Sequence, residues 1–464
     1  MTITATPLAP ADPTPATSAD TDIEASAPRG HIGRIVTLTI VGGAVAALLA
    51  VVGPFAGAEE HVVTGSVLAV FATSWALLAH LSSRRTDQPQ RWAKVPAVAM
   101  AVAAAFVLMV APTGNGGGWL WPPVLLALAV WMAIRSRRSL RSRTRVLVLY
   151  PVFGLLALSA LGGAYETYRE TTDPSASEMP GRLVDVGDHR LHISCTGSGS
   201  PTVVLEPGMG EMSSVMAGLI APDVAATTRV CVYDRAGRGW SESAPSLRDG
   251  EQTATDLHTL LANAGESGPY VLAGHSAGGV YVLNFAKLFP RDTAGVVLLD
   301  SMHPEQYDRM ASWPGFYEMF RRMSAASPSL SRLGIGRAIY SSAYSDLPAT
   351  QRDQERAFLA TPRHHRSVRD EFHMIRTAMD QAAELDTLGD APLAVLTATS
   401  GADPDWPAMQ EDLLTLSTDS VQQVLPGISH AMVVEDPDAA HQASITILDL
   451  VESVRTGSPV SEEG

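Results

Sequence analysis

The five residues Gly274-His275-Ser276-Ala277-Gly278 decide how this chain folds, because they follow an apolar run (270–273) and precede a helix-like stretch (279–289). Glycine has no Cβ, so it lets neighbouring backbone approach closely and tolerates unusual dihedral angles. A serine between two glycines therefore fits the tip of a tight strand-to-helix turn, with its hydroxyl held out toward a substrate. The pattern G-x-S-x-G also arises by chance, so the rest of the chain has to support this interpretation.

Charge divides the chain into two unlike halves. Up to residue 165, 12 lysines and arginines oppose 7 acids (net +5), whereas the remainder holds 21 against 41 (net −20). The acidic excess of the second half gives solubility and repels polyanions, so we expect no nucleic-acid partner. The arginines of the first half cluster in short loops between apolar runs.

Five apolar runs in the first half approach the roughly 20 residues that a helix needs to cross a bilayer. They cover 35–55, 62–81, 95–111, 119–134 and 146–165, and the fourth is the weakest because it is short and has two prolines near its start. A first helical turn accepts proline, so we predict an all-α bundle of five transmembrane helices. The predicted order is a disordered cytoplasmic tail (1–30), the transmembrane region (31–168) and a linker (169–180).

The arginine-rich loops predict the orientation of this bundle. They lie at 84–94 and 135–145, whereas the alternate loops hold Glu59 and Glu60 or no charge. Basic loops stay cytoplasmic, so we expect a multi-pass protein of the cell membrane, with a cytoplasmic N-terminus and an extracytoplasmic second half. The runs contain no acid, arginine or lysine, and His80 is the one ionisable side chain of the second run, which favours an anchor over a transporter.

From residue 181 onward, short β-rich runs alternate with helical stretches, which is typical of a mostly parallel α/β sheet. We predict eight strands at 182–186, 190–195, 202–206, 229–233, 270–273, 295–300, 393–398 and 420–425. Helices are predicted at 252–264, 278–289, 406–417 and 437–454.

The order of these elements and four motifs resemble the α/β-hydrolase superfamily over 181–455. The motifs are the serine turn, the segment 206–210 (EPGMG) after the third strand, the segment 233–241 (YDRAGRGWS) after the fourth, and 427–430 (GISH) after the last. The eight predicted strands fit one sheet of this kind. Residues 301–391 between the sixth and seventh strands are far longer than an ordinary crossover and are predicted to form a helical lid, and 456–464 are predicted to be a flexible tail. The segment 234–241 is interpreted as scaffold, because it lacks the lysine of a phosphate-binding loop.

The resemblance assigns roles to particular residues. Ser276 is the expected nucleophile, His430 its base, and Asp403 after the seventh strand the leading choice for the acid, with Asp300 as the alternative and Asp405 third. The oxyanion hole is expected from the backbone amides of Met209 and Ala277. Gly208 or Gly210 could share the first of these positions.

Both cysteines, Cys195 and Cys231, fall on strands that are neighbours in the family sheet. In an exported domain a disulfide between them is the hypothesis, and two small buried thiols are the alternative. No group of histidine, cysteine or acidic residues has a recognised metal-ligand spacing, so we expect no metal and no cofactor.

The leading hypothesis for function is a membrane-anchored serine hydrolase that cleaves carboxylic esters through an acyl-enzyme on Ser276. Its expected partners are a small-molecule ester or lipid-like substrate and the lipid bilayer, and the oligomeric state stays open. Aromatic and methionine residues of the lid, in the segment 313–323, either line an apolar pocket or pack the lid itself.

Other activities share this site. A peptidase or amidase and a haloperoxidase-like enzyme use the same triad, whereas epoxide hydrolases and haloalkane dehalogenases carry aspartate where Ser276 stands. A hypothesis of another class is a non-catalytic extracytoplasmic binding or sensing module.

Overall fold

The structure, a computed structural model, describes residues 1–2, 31–55, 57–110, 118–141, 143–176 and 178–460. Residues 3–30 of the predicted cytoplasmic tail and 461–464 of the predicted flexible tail lie outside the described residues. Within the second tail, Val460 is buried and its amide donates to Asp419 (2.9 Å), so the chain packs back onto the sheet there.

The first half is a helical bundle. Its helices are α1 (Ile32–Val52), α2 (Glu60–Arg85), α3 (Lys94–Val110), α4 (Trp121–Ser139) and α5 (Tyr150–Ala176), with a 3₁₀ turn Arg91–Ala93 before α3 and a π-helical turn Arg145–Leu149 before α5. Inside the bundle, Trp75, Leu78, Met132 and Phe153 are buried together. Many large apolar side chains face outward, including Leu38, Val98, Val102, Leu155 and Leu158.

Four of these helices are long and apolar enough to cross a membrane, namely α1, α2, α3 with its preceding turn, and α5 with its π-helical start. The prediction of five transmembrane helices is therefore corrected. Helix α4 falls short because Arg135, Arg137 and Arg138 occupy its C-terminal part, so its apolar stretch is too short. The predicted linker is also shorter than expected, because α5 continues to Ala176 and the first strand begins at Arg182.

The two ends of the bundle are distinct. At one end, the arginine-rich segments meet, because Gln88 accepts from the Arg141 amide (2.8 Å) and Gln90 accepts from the Ser139 hydroxyl (2.8 Å). At the other end, Thr167 of α5 donates to the Gly118 carbonyl (3.2 Å). Helix α4 therefore runs antiparallel to α5 between the same two ends.

The second half contains one eight-stranded sheet, as predicted. Its strands are β1 (Arg182–Asp185), β2 (Arg190–Thr196), β3 (Thr202–Glu206), β4 (Val230–Tyr233), β5 (Tyr270–His275), β6 (Thr293–Leu299), β7 (Leu393–Ser400) and β8 (Ser420–Ser429). Their order is β1-β2-β4-β3-β5-β6-β7-β8. The pairs β1–β2 and β2–β4 are antiparallel and the others are parallel.

Helices cover both faces of the sheet. They are α6 (Ser213–Leu219), α7 (Ala221–Ala225), α8 (Gly250–Ala264), α9 (Ala277–Leu288), α10 (Gln306–Arg309), α11 (Trp313–Arg332), α12 (Ile335–Ile339), α13 (Ala349–Phe358), α14 (Pro362–Ala382), α15 (Trp406–Leu413), α16 (Met432–Glu435) and α17 (Pro437–Thr456). Short 3₁₀ turns lie at Pro290–Asp292, Tyr340–Ser342 and Leu414–Leu416. Helices α10 to α14 form the lid between β6 and β7.

Alternation of side chains along the central strands builds one core on each face. Val204, Leu272 and Val296 pack on one face with α8 and α9, whereas Val203 and Val271 pack on the other with α17. A parallel strand buried on both faces needs apolar residues throughout, which the sequences of β3, β5 and β6 provide.

Candidate active site

Ser276 lies at the turn between β5 and α9 in a strained backbone conformation, with φ 54° and ψ −123°. The glycines on either side make this turn possible. A Cβ on Gly274 would lie 2.6 Å from the backbone of Gly278, and a Cβ on Gly278 would lie 2.3 Å from the Glu206 carbonyl oxygen. The amide of Ser276 donates to the Leu299 carbonyl (3.2 Å), which fixes the turn beside β6.

Three side chains meet at this turn. His430 Nε2 lies 2.9 Å from Ser276 Oγ, and His430 Nδ1 lies 2.6 Å from Asp300 Oδ2. The other oxygen of Asp300 accepts from the Ala398 amide (2.9 Å) and from Trp406 Nε1 (2.8 Å). Ser276 is 9% exposed and the His430 side chain 47% exposed, so the serine is recessed while the imidazole borders solvent.

The partner of His430 is Asp300, and the leading choice from the sequence, Asp403, is wrong. Asp403 lies in the exposed turn after β7, where its carboxylate accepts from Ser312 Oγ (2.6 Å) and from the Asp405 amide (3.0 Å). The third choice, Asp405, is the residue before α15 and is exposed.

Strand register explains this outcome. His275 at the end of β5 pairs with Leu299 at the end of β6, so the next residues, Ser276 and Asp300, leave the sheet at one level. Asp300 also has a positive φ of 45°, which turns the chain sharply at that point. Strand β7 continues to Ser400 before it turns, which takes Asp403 away from the imidazole.

The glycine-rich turn after β3 leaves one amide available. The Gly208 amide donates to Glu211 (2.6 Å) and the Gly210 amide donates to Glu371 (2.9 Å). The amide of Met209 has no hydrogen-bond partner among the described residues. Ala277 is the first residue of α9, where amides have no intrahelical partner. Of the predicted donors, Met209 and Ala277 are thus available to an oxyanion, and Gly208 and Gly210 are occupied.

A buried charge network holds this turn. Arg235 donates to the carbonyls of Pro207 (2.6 Å) and Gly208 (2.6 Å), and it pairs with both Glu206 and Glu371. Glu371 comes from the lid helix α14. Burial raises the pKa of the Glu371 carboxyl, but Arg238 and Arg235 outweigh burial and hold it below its usual value. The segment after β4 therefore acts as scaffold, as its sequence predicted.

A second buried pair lies beneath the imidazole. His275 Nδ1 lies 3.1 Å from Glu211, and its Nε2 donates to the His430 carbonyl (3.2 Å), so the ring supports the loop that carries His430. Burial alone lowers the pKa of His275, but the Glu211 carboxylate outweighs it and raises the pKa. Sequence reasoning missed Glu211, His275 and Glu371, because their partners are remote in the chain.

Cys195 and Cys231 face each other in the antiparallel pair β2–β4, and the structure joins them in a disulfide. Glu266 lies close to both sulfurs. Two sulfurs bonded to each other are no longer thiolate ligands, so this group does not form a metal site.

A cavity of about 1210 Å³ lies between the helical bundle and the α/β half of the chain. Its walls carry charges of both signs, including Glu60 and Arg366, and Arg235, Arg238 and Glu371 of the buried network also contribute. Ser276 and His430 are not among its lining residues, so we do not assign this cavity to the candidate active site.

The sheet, the serine turn and the convergent imidazole and carboxylate define the class of α/β-fold hydrolases. The sequence profile of the Alpha/beta hydrolase family matches residues 203–443. The chain belongs to this family, and the fold indicates a hydrolase.

Individual relatives are distant. The "Probable transporter efuK" of Hormonema carpetanum is 32% identical over 136 residues, covering 28% of this chain and 19% of that protein. An uncharacterized vacuolar membrane protein of Saccharomyces cerevisiae is 25% identical over 201 residues, covering 38% of this chain and 30% of that protein. The chain spans less than half the length of the curated relatives that it matches.

Among solved structures, the Cif epoxide hydrolase from Acinetobacter nosocomialis superposes with a TM-score of 0.51 at 15% identity, covering 62% of this chain and 96% of that one. This likeness is one of fold alone.

Proposed function

We propose that this protein is a membrane-anchored serine hydrolase that cleaves carboxylic esters through an acyl-enzyme on Ser276. The observation that carries the proposal is the continuous hydrogen-bonded chain from Ser276 Oγ through His430 to Asp300. A serine hydroxyl is a weak nucleophile until a positioned base removes its proton, and this chain supplies the base and the group that orients it.

In the first half-reaction, Ser276 Oγ attacks the ester carbonyl carbon while His430 Nε2 takes the hydroxyl proton. Asp300 accepts the Nδ1 hydrogen, which sets the tautomer and stabilises the imidazolium. Negative charge on the carbonyl oxygen is met by the amides of Met209 and Ala277. When the C–O bond breaks, the alcohol leaves with the proton from His430, and Ser276 keeps the acyl group.

In the second half-reaction, a water molecule takes the place of the alcohol. His430 accepts a proton from this water as its oxygen attacks the acyl carbon, and Ser276 recovers its hydroxyl when the acid leaves. The half-exposed His430 side chain gives water access to the base. No step requires a metal or an organic cofactor.

The membrane orientation is part of the proposal. The arginine-rich segments meet at one end of the bundle, as the contact of Gln88 indicates, and the hydrolytic half contacts the other end, where Arg337 pairs with Glu166 of α5. Positive loops favour the cytoplasm, so we place the hydrolytic half outside it. The disulfide Cys195–Cys231 supports the same side, because disulfides persist in oxidising compartments.

A fluorophosphonate probe, which reacts with activated serines, tests the activity on the full chain in membranes. We expect the wild type to be labelled and Ser276→Ala and His430→Ala to be unlabelled. Ser312→Ala, which changes an exposed serine of the lid, is the matched control and should label like the wild type. Absence of labelling in folded wild-type protein would favour the binding or sensing module instead.

Labelling alone does not separate ester from amide cleavage. A peptidase or amidase would turn over 4-nitroanilide substrates, whereas the proposed esterase acts on 4-nitrophenyl esters. A haloperoxidase-like enzyme would require peroxide and halide in the assay. Comparison of these three assays with one preparation decides among the activities that share the triad.

A further inference from the structure

The lid is docked on the membrane helices. Ser329 of α11 lies 2.6 Å from the Thr64 hydroxyl of α2, and Arg322 donates to the Val52 carbonyl at the end of α1 (3.1 Å). Glu60 of α2 pairs with Arg332 at the end of α11 and with Arg366 of α14 (2.8 Å). These contacts fix α11 against the ends of two helices that are apolar enough to cross a membrane.

The docking level coincides with the edge of the apolar region. The backbone of Leu333 packs directly against Gly162 of α5, three residues before the end of the apolar run 146–165. Around this level, Trp119, Tyr165 and Tyr168 are exposed. Tryptophan and tyrosine concentrate where the bilayer meets water. The lid segment that follows α11 is therefore at the depth of the bilayer boundary.

An apolar surface extends from this segment along the lid. Phe316, Met319, Met323 and Leu330 share one face of α11, because their spacing of three, four and seven residues follows the helical repeat. Each is at least 43% exposed, and Ile335 and Ile339 of α12 are also exposed. We call these six residues the lid apolar surface. Soluble surfaces seldom expose so many large apolar side chains together, and such patches mark membrane or protein contacts.

Aromatic side chains connect this surface with the candidate active site. Phe316 stacks on Trp313 with ring centroids 5.1 Å apart, and Trp313 packs against the cluster of Met310, Trp406 and Met409. Trp406 bonds to Asp300 and lies 6.0 Å from the His430 ring. Apolar contacts thus run from the exposed lid face to the imidazole, which suits the passage of an acyl chain.

From this arrangement we infer that the lid apolar surface inserts into the membrane leaflet on the hydrolytic side, and that the substrate is a long-chain acyl ester taken from that leaflet. The inference rests on the proposed function and specifies its substrate class. The acyl chain leaves the bilayer along the aromatic side chains, Ser276 takes the acyl group, and the alcohol departs with the proton from His430. Water then releases the fatty acid.

Insertion is tested without any activity measurement. The chain has two cysteines and the structure joins them, so a cysteine introduced at Met323 is the sole free thiol. We expect an NBD label on Met323→Cys to show blue-shifted emission in phosphatidylcholine vesicles and to be quenched by doxyl-labelled phosphatidylcholine. The control is Val424→Cys on the edge strand β8, where the native side chain is 51% exposed. Equal quenching at both sites, or none at Met323, would overturn the inference.

Substrate class is tested with the double variant Met319→Glu/Met323→Glu, because carboxylates are costly to place in the bilayer. We expect hydrolysis of 4-nitrophenyl palmitate in vesicles to fall about tenfold or more, equivalent to roughly 1.4 kcal/mol. Turnover of 4-nitrophenyl acetate in water should change less than about twofold, because the double variant leaves Ser276 and its partners intact. Val424→Glu should leave both rates unchanged.

The two proposals fail in different ways. If the fluorophosphonate probe labels Ser276 but the double variant keeps its palmitate rate, the lid inference is wrong and the hydrolase stands. If the probe does not label the wild type, the hydrolase is wrong whatever the NBD label reports.

Discussion

Three groups contact the Asp300 carboxylate: the imidazole of His430, the indole of Trp406 and the Ala398 amide. The other nitrogen of His430 lies within hydrogen-bond distance of the Ser276 hydroxyl. Each carboxylate oxygen has a defined task, since one orients the imidazole and the other is fixed by two N–H donors. An aspartate at the end of a strand could have been a capping residue, but these contacts leave it no other role.

Asp300→Asn should lower kcat for a 4-nitrophenyl ester by about 10³–10⁴-fold, because an amide favours the wrong imidazole tautomer. Asp403→Asn is the matched control, since it changes the acid that was expected from the sequence and that binds Ser312 instead. Steady-state kinetics on both variants make the comparison. A large loss of kcat in Asp403→Asn, with little loss in Asp300→Asn, would contradict the assignment of Asp300 as the partner of His430.

Glu355 of α13 is fully buried, and one of its oxygens has no partner among the described residues, while the other accepts from Ser214 (2.6 Å). Burial raises its pKa well above 4.5, so the folded state binds the proton more tightly than the unfolded state. Its contribution to stability is therefore greatest below the unfolded pKa and is lost as pH rises toward the folded pKa.

Glu355→Gln should consequently raise Tm at pH 8, by roughly 2–4 °C for each kcal/mol that it adds to the free energy of unfolding. The gain should shrink toward pH 5, where the wild-type carboxyl takes up its proton. Thermal unfolding at the two pH values measures this difference. Asp353→Asn, an exposed acid of the same helix, should show no such pH-dependent gain. A gain of the same size at pH 5 would contradict the assignment.

At the scale of elements, the turn after β3 is positioned by the lid as well as by the sheet. Glu371 of α14 accepts from the Gly210 amide and pairs with Arg235 and Arg238, and Arg235 in turn holds two carbonyls of the turn. The amide of Met209, which lies between the two held glycines of the turn, has no hydrogen-bond partner among the described residues. A lid helix therefore helps to preorganise the candidate oxyanion hole.

Glu371→Gln should lower kcat by about 10-fold to 100-fold, with a smaller change in KM. The loss in kcat should not exceed the loss caused by removing one oxyanion-hole donor, because the substitution loosens the turn but leaves its amides in place. Asp370→Asn, which alters the adjacent acid and its pair with Arg369, is the control. Kinetics on a short-chain ester and a melting curve are needed, because breaking a buried ion pair also destabilises the fold. Equal loss of kcat in the two variants would argue against a positioning role for Glu371.

Most elements were predictable because periodicity and glycine signals are local. The eight strands appear at their predicted places, with β5, β7 and β8 extending two or more residues further at their C-terminal ends than expected. The acid was not predictable, because the choice between Asp300 and Asp403 depends on how far β6 and β7 extend before they turn. The ionic pairs of Glu211 and Glu371 join segments remote in sequence, and no local pattern indicates them.

At the scale of the whole molecule, the hydrolytic half sits on the end of the bundle opposite the arginine-rich segments. Arg337 of α12 adds pairs with Glu166 (2.8 Å) and Asp173 (2.8 Å) of α5 to those that Glu60 makes. The two halves therefore share an interface of several ion pairs rather than a single connection.

Orientation can be read with single cysteines. We expect Glu452→Cys, on α17, to react with a membrane-impermeant maleimide in intact cells, and Arg141→Cys, in the arginine-rich segment, to react only after the cells are opened. Both native side chains are exposed, so access to the reagent is the variable that is measured. The reverse pattern would place the hydrolytic half in the cytoplasm.

Helix α5 ends at Ala176 and β1 begins at Arg182, so five residues connect the membrane region with the sheet. A fully extended segment of that length reaches no more than about 20 Å. Together with the ion pairs between the two halves, this short connection keeps the α/β half next to the helical bundle. In the proposed membrane arrangement, substrates therefore have to reach the candidate active site close to the bilayer surface.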